Sequence, residues 1–297
     1  MTHASPLRYP GGKAKLTPFF KRLLELNHLC DGHYAEAYAG GSGLALSLLY
    51  AEYVRYIHIN DVDRAVYAFW HSVLNRTDEF CRLIERRPLN PQEWRRQKRI
   101  VESKKDADLF ELGFAAFYLN RTSRSGIIAS GGMIGGNKQR GKWKLDARFN
   151  RAALVERVRR VASYRSRITL TRLDALDFLG AMAAELPDNS LTYLDPPYFV
   201  KGQRRLYADF YKAGDHADVA DTVASFPHRW VVSYDYAPEI LTLYQNYGCF
   251  VYDLRYTAQD RYDGAEAIFF SPDLSLPRLS LLEGLGLGNS SALTGAR

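Results

Sequence analysis

Apolar and polar positions along this chain follow two rhythms, one of period about 3.6 and one of short apolar runs, and they alternate in a definite order. Residues 13–27 space their apolar side chains as an amphipathic helix, just after the turn "YPGGK". "HYAEAY" (33–38) predicts a short strand, "AGGSG" a tight loop and "LALSLLYAEY" a helix. "YIHIND" (56–61) predicts the next strand, and "VDRAVYAFWHSVLN" a helix whose apolar side carries Val66, Phe69, Trp70 and Val73. Strand–helix alternation of this kind builds an α/β protein with a doubly wound, mostly parallel sheet. From about Thr77 to Tyr164 the rhythm becomes helical, broken by the Gly-rich "NRTSRSGIIASGGMIGGNKQRGKWKLDARFN", which is expected to pair as a hairpin around 130–149. Alternation then returns: "RITLTR" (167–172), the helix "DALDFLGAMAAEL", and strands at "SLTYLD", "RWVVSY" (229–234), "CFVYDLRY" (249–256) and "EAIFFS" (266–271). The expected organisation is a first α/β part over 1–76, a helical insertion over 77–164, and a second α/β part over 165–272. Residues 273–297, rich in Gly, Ser and Leu, are expected to form a poorly ordered tail outside the core.

Charge sharpens the picture of the insertion. The chain carries +7 overall, but the segment from Arg82 to Arg172 holds 23 Lys and Arg against 8 Asp and Glu, so it carries +15 inside a frame of −8. A localised positive field is what sequence-independent attraction to phosphate needs, so the insertion is expected to meet nucleic acid. The three cysteines (Cys30, Cys81, Cys249) form no CxxC pair, which predicts neither a zinc site nor a disulfide framework and fits a reducing compartment. No apolar run approaches the ~20 residues that span a bilayer, and "MTHASPLRYPGGK" lacks an apolar signal core. A cytoplasmic protein with no membrane and no metal is the expectation.

Two clusters carry chemistry. Gly40, Gly41 and Gly43 lie between a strand and a helix, where glycine lets a ligand approach the backbone near a helix N-terminus. Asp61 ends the next strand about 20 residues on, the place from which an acid receives ribose hydroxyls in nucleotide-binding α/β proteins. The pair points to an adenosine-containing cofactor without saying which. Glu36 ends the first strand, facing the same crevice or holding the Gly loop. The second cluster is "LDPPYF" (194–199) at a strand's carboxyl end, where ligands of open α/β sheets bind. Ionised Asp195 offers acceptors only, and Pro196 and Pro197, rigid and without N–H groups, leave nearby carbonyls free. Two acceptors facing one point suit a planar amine, and Tyr198 is placed to stack on the ring that bears it.

The pieces "RYPGGK" (8–13), "EAYAGGSG" (36–43), "INDVD" (59–63), "FYLNRTSRSG" (117–126), "LDPPYF" (194–199) and "VVSYD" (231–235) occur in that order. In this the sequence resembles the Dam-type adenine-specific DNA methyltransferases whose cofactor motifs precede the target-recognition insertion. The resemblance implies a Rossmann-like methyltransferase fold and transfer of a methyl group from S-adenosyl-L-methionine to N6 of an adenine flipped out of double-stranded DNA. It implies cofactor contacts at Tyr9, Gly12, Lys13, Glu36, Asp61 and Asp195 and along the loop Ala39, Gly40, Gly41, Ser42 and Gly43. Catalysis falls to Asp195, Pro196, Pro197 and Tyr198; Tyr198 is expected to act by stacking, so that Tyr198→Phe should have a mild effect on turnover. DNA contacts fall to Arg121, Arg124, Lys138, Arg140, Lys142 and Lys144, the last four sharing one face of the expected hairpin. Family members that read GATC usually carry an aromatic and Asn-Gly where this chain has Arg124, Ser125 and Gly126, which argues against GATC. The resemblance also brings in a bacterial or phage setting and a companion nuclease. "DPPY" alone would equally serve an RNA adenine, the amine of cytosine, a glutamine amide, or a silent DNA-binding protein of the same fold. The motif order and the basic insertion favour DNA adenine.

Overall fold

A computed structural model describes residues 4–8, 12–199, 211–255, 263–283 and 290–293. Eight strands, β1 (Gly32–Glu36), β2 (Val54–Asn60), β3 (Ile168–Thr171), β4 (Ser190–Leu194), β5 (Arg229–Asp235), β6 (Gly248–Arg255), β7 (Asp263–Phe270) and β8 (Ser290–Leu293), form one sheet in the order β3-β2-β1-β4-β5-β7-β6-β8. The pairs from β3 to β5 are parallel; β7 enters antiparallel between β5 and β6, and β8 pairs antiparallel with β6. The chain is therefore an α/β protein with a mixed, mostly parallel sheet.

Strand periodicity assigns the two faces. Tyr34, Leu191, Tyr193, Val231, Ile268 and Phe270 belong to one buried cluster, while their neighbours Ala35, Leu194, Val232, Ala267 and Phe269 belong to another. The first face carries α1 (Thr17–Leu26), α2 (Gly43–Tyr50) and α3 (Arg64–Asn75). Between β2 and β3 come α4 (Thr77–Arg86), α5 (Pro91–Glu102), α6 (Leu109–Thr122) and α7 (Arg151–Ser163). The second face carries α8 (Ala175–Glu185), α9 (Ala213–Ala224) and α10 (Pro238–Leu243), and a short α11 (Ser280–Glu283) follows β7. Asx side chains start many of these helices: Asp63 accepts from Ala65 N, Asn90 from Glu93 N, Asp108 from Phe110 N and Asn150 from Ala153 N.

The helical block does not stand apart from the α/β frame. Phe69 of α3 stacks on Phe117 of α6 at 5.9 Å between centroids, and Phe80, Phe114 and Phe149 pack edge-on or tilted around them. Gly113 lets α6 lie against α3, since a Cβ there would sit 2.3 Å from the Ala68 carbonyl oxygen.

Two expectations are corrected. No hairpin forms over 130–149; that stretch consists of turns and a 3₁₀ turn at Leu145–Arg148, with one isolated bridge, Ser123–Met133. Gly135 and Gly136 (φ 80° and 72°) and Gln139 (φ 49°) are left-handed, which a ladder does not accommodate. The Gln139 amide instead organises the loop, donating to the Ile134 and Gly136 carbonyls and accepting from Leu145 N. Among the described residues after 272, several join the core rather than a detached tail. Leu274 is buried, Leu276, Leu279 and Leu281 pack on the core, and β8 adds a strand to the sheet.

Candidate active site

Because β1, β2, β4 and β5 are parallel, Glu36, Asn60, Asp195 and Asp235 all arrive at the same edge of the sheet. β7 runs the other way, so its early residue Glu266, registered with Asp235 and Tyr252, reaches that edge too. There the chain forms a cleft of about 420 Å³, running from Gly12 and Lys13 past the 36–44 loop and Asp61 to Asp195, Pro197 and Tyr211.

One wall is the Gly loop. Asp61 Oδ2 accepts from Gly40 N at 2.8 Å, Oδ1 accepts from Asp63 N at 3.0 Å, and Trp70 Nε1 donates to the Gly40 carbonyl at 3.0 Å. Gly40 and Ser42 both have positive φ (44° and 42°), the sharp turn that turns the backbone towards the cleft. Asp61 thus holds the loop, and its side chain lines the cleft. Asn60 ties the chain after β1 to the chain after β3, donating to the Ala37 and Leu173 carbonyls and accepting from Leu173 N.

Glu36 lies deeper. Its Oε1 accepts from Ala45 N (3.1 Å) and the Tyr34 hydroxyl (3.2 Å), tying the end of β1 to the first turn of α2. Burial pushes its pKa from 4.5 up to about 8, with Asp195 adding to the rise and the Ala45 and Tyr34 bonds opposing it. The folded protein thus favours protonated Glu36. The stability this confers is full below pH 4.5 and is lost as pH rises towards about 8. Glu36→Gln keeps the acceptor without the charge. Thermal melts should find it level with the parent near pH 4.5 and more stable by a few kcal/mol at pH 9. An equal deficit at both pH values would mean that the carboxylate is charged and needed.

The other wall holds the acid of the Pro-Pro motif. Both oxygens of Asp195 take hydrogen bonds from Lys13 Nζ (2.9 and 2.8 Å), and Oδ1 also accepts from Ser233 Oγ at 2.8 Å. Lys13 donates to the Tyr198 hydroxyl at 2.7 Å and lies 3.7 Å from Glu266 Oε2. Burial pulls the Lys13 pKa down, but Asp195 and Glu266 outweigh it and hold the ammonium above its ordinary value. Burial and Glu266 push Asp195 up, against Lys13 and Ser233, and the balance is a raised pKa. The Asp195 side chain keeps 24% exposure on the cleft, whereas Lys13 keeps 6%.

The structure brings many of the named residues together. Gly12, Lys13, Glu36, Ala39, Gly40, Gly41, Ser42, Gly43, Asp61, Asp195 and Pro197 line one cleft. Tyr9 lies outside the described residues. Pro196 is buried behind the cleft wall. Tyr198 is buried, with its hydroxyl engaged by Lys13 and Glu266. Arg121, expected on DNA, is 4% exposed and its guanidinium donates to the Pro6 carbonyl. Burial, then the neighbouring Arg157, Arg8 and Arg148, lowers its pKa to about 9. Arg124, Lys138, Arg140, Lys142 and Lys144 are exposed, but on an irregular loop and not on one hairpin face. Between the last two, Trp143 is 66% exposed. Sequence reasoning passed over it, and over Asn60, Asp174, Ser233, Tyr252 and Glu266. Ser233 lay inside a quoted stretch, "VVSYD", while Glu266 had no signal beyond an acid inside the apolar run "AEAIFF".

Among the described residues, six aspartates line the cleft beside the protonated Glu36, against one ammonium, Lys13. A polyphosphate cofactor would meet repulsion there, whereas an adenosine bearing cationic groups would be drawn in. The fold and site therefore define an α/β protein with an acidic cleft at the carboxyl ends of its parallel strands, beside the carboxylate that precedes the Pro-Pro turn. A family model for "D12 class N6 adenine-specific DNA methyltransferase" matches residues 9–258, and the chain belongs to that family. It is an S-adenosylmethionine-dependent enzyme that methylates N6 of adenine in DNA. No curated protein matches the chain. Among solved structures it is similar to a Legionella pneumophila protein (11% identity, 97% of this chain and 99% of that one, TM-score 0.39). It is also similar to the rRNA methyltransferase aviRa of Streptomyces viridochromogenes (16% identity, 88% and 85% covered, TM-score 0.36). Among the described residues no helix is long and apolar enough to cross a membrane.

Proposed function

We propose that this enzyme acts on a specific duplex site other than GATC, with Asp195 as the acceptor that orients the adenine amine. The observation that carries this is a carboxylate exposed on the cleft floor, fixed by Lys13 and Ser233, immediately before the Pro-Pro turn. The acids of the cleft fit S-adenosylmethionine: Asp61 at the ribose, the Gly40–Gly43 loop against the methionine part, and Asp174 at the rim near Leu173. When bound, S-adenosylmethionine supplies an electrophilic methyl group. Asp195 and a carbonyl of the Pro-Pro turn accept the amine's two N–H groups, aiming its lone pair into the cleft. The nitrogen gains positive charge as it is alkylated, so fixed acceptors lower the barrier by positioning and electrostatics together. Extrusion of the adenine costs a few kcal/mol, which Tyr198 offsets as one face of the base pocket. The Rossmann-like methyltransferase topology is part of this reading.

Exposed Lys138, Arg140, Lys142 and Lys144 supply phosphate contacts, with Trp143 among them as an apolar surface for base or sugar. Arg124, exposed at the tip that follows α6, reads a base edge. The setting is cytoplasmic DNA of a bacterium or phage, with or without a companion nuclease. Sequencing DNA from an expressing host with detection of N6-methyladenine should return one motif, and Arg124→Ala should lose ~1–3 kcal/mol of discrimination at one position of it. Methylation confined to GATC would overturn the target reading. An Arg124→Ala enzyme slowed equally on every substrate would make that residue a phosphate contact.

A further inference from the structure

Glu266 has no solvent exposure, lies beyond the end of the family match, and belongs to none of the six quoted stretches. A carboxylate buried this completely needs partners that make up for lost hydration. Its Oε2 accepts from the Tyr252 hydroxyl at 2.7 Å and faces Lys13 Nζ at 3.7 Å, and its Oε1 accepts from the Tyr198 hydroxyl. One ammonium is thus shared by two carboxylates. In this arrangement Lys13 addresses both oxygens of Asp195 and Ser233 takes one of them again, so an incoming amine finds its acceptor engaged. A second carboxylate beside Lys13 gives the ammonium another place for its charge.

We propose that Glu266 is a positioning residue for methyl transfer: it takes up Lys13 when Asp195 turns to the substrate amine, and it anchors the Tyr198 ring through its hydroxyl. The proposal rests on Asp195 being the amine acceptor. Glu266 acts through others and touches neither substrate nor cofactor. Its position follows from the antiparallel register of β7, which puts it opposite Asp235 on one side and Tyr252 on the other. The charged and titratable groups facing it are Lys13, Asp195, Tyr198, Tyr252 and Tyr193. Those facing Asp195 are Lys13, Glu266, Glu36 and Tyr193, with Tyr34 and Tyr252 close enough to feel its charge.

The test is Glu266→Gln in the full chain, beside Asp195→Asn as reference, with kcat, KM for DNA, and cofactor affinity by calorimetry at several pH values. The expected result is a fall in kcat on the order of 10- to 100-fold with cofactor affinity nearly unchanged. Glu266 raises the Asp195 pKa, so its loss should also move the acidic limb of kcat/KM to lower pH. A structural role alone would scale activity with folded fraction and leave that limb in place, which overturns the proposal. So does a parental kcat in Glu266→Gln while Asp195→Asn is inactive. Full activity in Asp195→Asn would instead bring down the acceptor reading itself. Should Glu266→Gln fail to fold, Tyr198→Phe removes only the hydroxyl that links the ring to Glu266 and Lys13. It should then lose about 10-fold in kcat at unchanged cofactor affinity, and a parental kcat there overturns the anchoring.

Discussion

Asp195→Ala should abolish methyl transfer while the protein still folds. The variant loses the carboxylate that meets the amine, and removing one preorganised group of this kind costs about 10²- to 10³-fold in kcat. The cost is larger here, because the same carboxylate also fixes Lys13 and Ser233. Folding should survive because Lys13 keeps a carboxylate neighbour in Glu266 at 3.7 Å, so no buried charge is left without a counter-charge. Cofactor affinity should weaken, since Asp195 lines the same cleft. Single-turnover assays at saturating DNA and cofactor check this. A rate within tenfold of the parent would remove Asp195 from the mechanism.

Lys13→Met attacks the same network from the other side and should do more harm to the fold. It leaves Asp195 and Glu266 facing each other with nothing between them, and removing one partner of a buried ion pair costs about 3–5 kcal/mol. The carboxylates relieve the repulsion by taking up a proton, so the Asp195 pKa, already raised, rises further. A folded-state pKa raised in this way leaves stability intact at low pH and removes it as pH increases. The melting deficit of Lys13→Met against the parent should therefore widen from pH 5 to pH 8. The acidic limb of kcat/KM should move to higher pH, opposite in direction to the shift expected for Glu266→Gln. A constant deficit and an unmoved limb would mean that Lys13 is only a packing residue.

What the sequence revealed of this site was whatever sat next to a strand end in the chain. Asp195, Asp61 and the Gly loop each follow a strand directly, and parallel strands deliver such positions to one edge without further information. Glu266 was illegible because its place depends on β7 turning back between β5 and β6, a pairing that local pattern does not specify. Arg121 misled because an arginine beside a family motif looks like a DNA contact, and nothing local announces that the Pro6 carbonyl receives it. The hairpin failed for a local reason: alternating charges fit a strand, but left-handed Gly135, Gly136 and Gln139 do not. Strand β8 was missed since Ser, Gly and Leu carry little strand signal, and its support comes from the free edge of β6.

The stitching of α6 to the N-terminal segment bears on how such enzymes could be given new targets. The Asn120 amide accepts from Arg8 N at 2.8 Å and donates to the Arg8 carbonyl at 2.7 Å and the Gly126 carbonyl at 2.8 Å, while Arg121 grips Pro6. The residues that lead into Lys13 and those that lead into Arg124 are thus fastened at a single knot. The phenylalanines around Phe117 bind the same helix to α3. Residues 77–164 consequently do not behave as a cartridge. A transplant cut at those ends would sever a shared core and release Pro6 and Arg8 from α6. The loop from 127 to 144 is tied in as well: Arg124 N donates to the Gly132 carbonyl, Ile134 N to the Thr122 carbonyl, and Gln139 accepts from Leu145 N. On the proposed reading, retargeting belongs to single substitutions at Arg124 and not to exchange of a segment.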